Sequence, residues 1–272
     1  MLPRTGFEEG PWVPPGHELR QSWRLYGICG MLRTGAVMRI KPSAWVVPVL
    51  GVVGLLSPAT AHADERYYLL VFGSQSHPKL LRYTHTWATF VRVVGEGDDP
   101  AVLQVEQHTI SWLPATLNVR TFSPFPERGV NLDLYQTLGY VQSNRESVTL
   151  WGPFVISPLL YQRSLRVKAI AESGAARYRA ISTSSDMLVS DCIHAVAAVD
   201  PVFGRGHYPL IRVGKPASRY IARQVMTRSL FDQYRYDNSW LIPRLGLDRY
   251  GLEVIPPQQI PRRNCFLCRC PD

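Results

Sequence analysis

Between residues 66 and 113 the chain runs through three stretches dense in aromatic and β-branched side chains, "RYYLLVFGS", "THTWATFVRVVG" and "AVLQVEQHTISWL". Such side chains lose rotamer freedom in a helix and pack well on a pleated surface, so each stretch reads as a strand. The last two are separated by "GEGDDP", whose glycines, acids and proline form a turn. Three successive strands imply an antiparallel meander.

The turn also predicts a register. Folding between Glu96 and Gly97 sets Val91 opposite Val102 and His85 opposite His108. Directly opposed side chains share a face with Cβ atoms about 5 Å apart, so the two imidazoles would meet. A bulge at Pro100 would shift the pairing by one and turn the partner over, leaving Glu106 or Gln107 in place of His108.

Helical signals follow. "NLDLYQTLGYV" has helical spacing, and "SPLLYQRSLRVKAIAESG" has Ser157 as N-cap, Pro158 in the first turn and Gly174 as the stop. Its apolar stripe is read as Leu160, Val167, Ile170 and Ala171. "SVTLWGPFVI" and "RYRAI" read as further strands, and "TSSDMLVSDCIHAVAAVD" passes through polar capping residues into a helix. "GRGHYPLIRVG" and "SRYIARQVM" suggest a loop, a strand and another helix. The expected class is α+β, an antiparallel sheet packed against helices, with residues 64–255 as one domain.

The front of the chain carries an export pattern. Arg39 and Lys41 precede an apolar run from Ala44 to Leu56, and Ala61-His62-Ala63 offers small residues for cleavage. Interrupted by Pro48, the run is shorter than the roughly 20 residues that a spanning helix needs. Residues 38–63 are therefore read as a signal peptide starting at Met38, and residues 1–37 as an upstream extension from a start assigned too early. The protein is expected to be exported, to the periplasm or beyond. Its net charge of +9 is scattered, mostly as arginine, with no dense basic run to follow a phosphate backbone. Nucleic acid is thus not an expected partner, whereas peripheral contact with a membrane or an acidic envelope polymer is.

The five cysteines separate by position. Cys29 precedes the signal, and Cys265, Cys268 and Cys270 crowd the Pro- and Arg-rich end, where residues 256–272 read as a disordered tail. With no histidine beyond His207, that tail does not make a zinc site, and no metal or cofactor is expected. Cys192 alone lies in the body. One reading is a small packed hydrophobe. The other is a nucleophile, because Ser190 and Asp191 are capping types and place Cys192 in the first turn of a helix. There unpaired N–H groups and the helix dipole favour a thiolate and can hold an oxyanion. His194 lies about 200° around that helix and so points away. That leaves His85, braced by His108, as the better base.

Strand histidine, polar residue on the next strand, then cysteine at a helix start is an order that resembles the circularly permuted branch of the NlpC-type papain-like superfamily, which includes relatives of lecithin retinol acyltransferase. His85 in "HTWATFV", His108 in "QHTISWL" and Cys192 in "SDCIHAV" carry the likeness. It implies a permuted papain-like fold with Cys192 as nucleophile, His85 as general base and acid, and His108 as the residue that orients it. Related sequences often have Asn before the cysteine, where this chain has Asp191. The expected activity is a cysteine hydrolase or acyltransferase working through a thioester on an amide or ester of a cell-wall peptide, a protein or a lipid acyl group. The competing expectation is a non-catalytic envelope-binding domain, with Trp87, Trp112, Trp151 and Trp240 lining a groove.

Overall fold

The computed structural model describes residues 64–95, 102–182, 187–200, 213–228, 233 and 236–260. The expected signal peptide, the loop and strand in "GRGHYPLIRVG" up to Arg212, and all three tail cysteines lie outside these residues.

Strands β1 (Glu65–Gln75), β2 (Thr84–Val94) and β3 (Gln104–Ile110) form the expected meander. β4 (Trp112–Pro114) leaves that sheet and pairs with β5 (Glu127–Asn131). Then come α1 (Leu134–Ser143), β6 (Ser147–Val155), α2 (Pro158–Glu172), β7 (Arg177–Tyr178), β8 (Val189–Ser190), α3 (Cys192–Ala197), α4 (Lys215–Arg228), α5 (Leu241–Arg244) and β9 (Glu253–Ile255). The main sheet has the order β3-β2-β1-β6-β9 and the smaller one β4-β5-β7-β8. The class is α+β. Neither sheet is purely antiparallel, because β9 runs parallel to β6 and β8 parallel to β7.

Both faces of the main sheet are covered, which is why β1 and β2 read as nearly unbroken apolar runs. On one side Leu69, Val71, Ala88, Phe90 and Ile110 join a core with residues of α2, α3 and α4. On the other, Leu70, Phe72, Trp87, Val91 and Val93 pack with Leu134, Leu138 and Val141 of α1 and Leu241 of α5. α4 lies so close to β1 that a Cβ added at Gly73 would stand 2.2 Å from Ser218 Oγ. The domain also runs past residue 255: Pro257 and Ile260 are buried, so the tail was expected to start too early.

The expected register is corrected. Val94 pairs with Gln104, Val91 with Gln107 and Phe90 with His108. The connection is therefore residues 95–103, longer than the turn alone suggests. Cross-strand chemistry fits this pairing: Arg92 and Glu106 bond at 3.1 Å, and the hydroxyls of Thr89 and Thr109 meet at 2.9 Å.

Candidate active site

In this register His85 and His108 are not opposed. His108 shares a face with Phe90, whereas His85 lies an odd number of residues along β2 and shares the face of Trp87. Ring contacts agree, with His108 stacked on Phe90 at 5.4 Å and His85 on Trp87 at 5.3 Å. His108 Nε2 bonds Ser164 Oγ of α2 at 2.8 Å, so this histidine ties the sheet to a helix and does not brace His85. The alternatives do not reach His85 either: Glu106 pairs with Arg92, and Gln107 sits opposite Val91.

The partner of His85 is Ser111, whose Oγ lies 2.9 Å from Nε2. Ser111 stands where the chain passes from β3 to β4, and its N–H donates to Asn131 Oδ1 of β5 at 2.9 Å. The other ring nitrogen, Nδ1, is buried without a hydrogen-bond partner. Burial pushes the His85 pKa down to about 3, so the ring is neutral at pH 7.

Cys192 is the first residue of α3, as Ser190 and Asp191 predicted. Two contacts fix it. Trp112 of β4 donates its indole N–H to Ser190 O at 3.1 Å, holding the approach to the helix. The sulfur then meets the backbone N–H of Thr86, the residue after His85 on β2. Asp191 is consumed as the cap: Oδ1 accepts from the N–H groups of Ile193 and His194, and Oδ2 from Ser182 N–H. His194 Nδ1 also bonds Asp191 Oδ2 at 2.8 Å, which leaves that imidazole tied to the cap. Burial pulls the His194 pKa down, but the hydrogen bond and charge of Asp191 outweigh it, and the net shift is upward.

Burial, followed by the Asp191 charge, pushes the Cys192 thiol up to about 12 against the pull of the N–H groups of Thr86, Cys192 and Ile193. Of these three, the Ile193 N–H already belongs to the cap. The residue is 8% exposed and lines a recess of about 70 Å³ with Val119, Phe122, Tyr178, Ile181 and Val213; His194, expected to point away, also lines it, whereas His85 does not.

No known family, characterised protein or solved structure matches this chain. Among the described residues, no helix is long and apolar enough to cross a membrane, and no group of three or more His, Cys, Asp or Glu side chains comes together in a way that would hold a metal ion. The single groove expected from tryptophans does not form: Trp87 and Trp112 are fully buried, and Trp151 and Trp240 line two separate clefts. Ser111 is the site residue that sequence reasoning missed. Its only signal was a hydroxyl immediately before the "WL" that ends the third strand run.

Proposed function

We propose that the protein is an exported thiol hydrolase or acyltransferase of permuted papain-like arrangement, acting on an amide or ester carbonyl. The observation that carries this reading is the seating of Cys192 at the start of α3, with its sulfur against the backbone N–H of Thr86 and a recess of about 70 Å³ over it. With Ser111 Oγ accepting from Nε2–H, the Nδ1 lone pair is left to take a proton.

Thiol and imidazole are both neutral at pH 7, so the reaction does not start from a stored ion pair. As Sγ attacks the carbonyl carbon, its proton passes to His85 Nδ1, which must first move to the sulfur because no hydrogen bond joins the two in the structure, and the N–H groups of Thr86 and Cys192 meet the developing oxyanion. The imidazolium returns the proton to the departing nitrogen or oxygen, leaving a thioester on Cys192. Water, or an acceptor amine or alcohol deprotonated by His85, resolves that thioester.

The test is the burst of p-nitrophenol released from p-nitrophenyl acetate. It should vanish in Cys192→Ala and slow by about 10² or more in His85→Ala, whereas equal rates in all three proteins remove the enzyme reading. A second reading, a non-catalytic envelope-binding domain, is favoured by one observation, the high thiol pKa. It predicts no burst at any pH.

A further inference from the structure

The recess over Cys192 opens through an apolar rim. Leu81 and Phe122 line it, and both are also exposed to solvent, Phe122 at 81%, so they stand at its mouth. Leu80, Leu117 and Phe125 extend this exposed set, Phe125 at 77%. Three of the five sit on the loop between β4 and β5, whose shape is set by its own hydrogen bonds. Leu117 N–H donates to Pro114 O, Ser123 N–H to Arg120 O, and Ser123 Oγ to Phe125 O. Local turns thus hold the two phenylalanines out in water, although burying them would be favourable.

Cations border the same rim. Lys79 and Arg82 flank the leucines, and Arg120 and Arg128 lie on the loop and at the start of β5, all exposed. The one acid on this stretch, Glu127, is half-buried beside Thr116. Apolar tips ringed by Lys and Arg suit the boundary between headgroups and acyl chains of an anionic leaflet. A peptide would need polar partners for its amides, and the recess walls are mostly apolar.

We infer that this rim is a membrane-docking surface: Leu81, Phe122 and Phe125 enter an anionic lipid leaflet, Lys79, Arg82 and Arg120 rest on its headgroups, and the Cys192 recess is held at the level of the acyl chains. As a statement about substrate, lipid acyl esters rather than cell-wall peptides, this rests on the thiol chemistry proposed above. The docking itself does not.

The experiment is flotation of the full chain with vesicles of phosphatidylcholine alone or with one-third phosphatidylglycerol. The wild type should float with the anionic vesicles and less with the neutral ones. Phe122→Ser/Phe125→Ser should partition at least tenfold less, while keeping the same melting temperature. The apolar segment from Ala44 to Leu56 is present in both proteins, so the difference between them reports the rim. Equal flotation of variant and wild type overturns the inference, as does a wild type that sediments with insoluble peptidoglycan and leaves vesicles alone. If the chain floats as expected but no burst appears in any protein, the docking surface stands and the thiol chemistry falls.

Discussion

Acid should unfold this domain through two histidines. His85 is 1% and His108 8% exposed, and burial holds their pKa values near 3 and 4. For His108, Lys168 adds to the lowering and Glu172 opposes it. In the unfolded chain both sit near 6.5, so below that pH the unfolded state binds protons that the folded state refuses. Their contribution is therefore intact above about pH 7 and is lost as pH falls toward 4. Linkage gives a loss of about 2 kcal/mol for each by pH 5, roughly 4 kcal/mol together, against total stabilities of about 5–15 kcal/mol for ordinary domains. Two groups work the other way: His194 and Glu146 have raised values, so each favours the folded state as pH falls through its own range. Single variants separate these effects. Urea unfolding followed by circular dichroism at pH 7.5 and pH 5 should show His108→Phe losing about 2 kcal/mol less than the wild type between the two conditions. An identical pH dependence in both proteins, or a His108 resonance titrating near 6.5 in the folded state, refutes the reasoning.

Other outcomes follow from the site. Alkylation of Cys192 by iodoacetamide should rise about tenfold per pH unit through pH 9, and Asp191→Asn, which removes the carboxylate charge, should speed it at fixed pH; a plateau below pH 8 contradicts the buried neutral thiol. Ser111→Ala should cost about 1–3 kcal/mol in unfolding, because it strands His85 Nε2, and should lower kcat for ester cleavage with little change in KM. Trp112→Phe should lower both stability and the burst, since it releases Ser190 ahead of Cys192, and an unchanged burst would show that the anchor is dispensable. Gly129→Ala should destabilise by about 1–3 kcal/mol, as its Cβ would lie 2.0 Å from the Trp112 ring.

Strands β1, β2 and β6 were legible because burial on both faces leaves continuous aromatic and β-branched runs. The start of α3 was legible because Ser190 and Asp191 announce a cap. What the sequence hides is set by distance along the chain. The pairing of β2 with β3 depends on where residues 95–103 let the ladder begin, and their composition does not say. The partner of His108 is Ser164, 56 residues away, and that bond also explains why α2 buries Tyr161, Ser164, Val167 and Ala171 while Ile170, expected in its stripe, is exposed. β9 is only three residues long and parallel to its neighbour, so no hairpin signal marks it.

The proposed chemistry stands on one covalent bond. Full-length protein mixed with p-nitrophenyl acetate, quenched in acid during the burst and digested, should carry a single acetyl group on the peptide containing Cys192, at a level that falls sharply in His85→Ala. An unmodified Cys192 peptide, or acetylation that is unchanged when His85 is replaced, would contradict it.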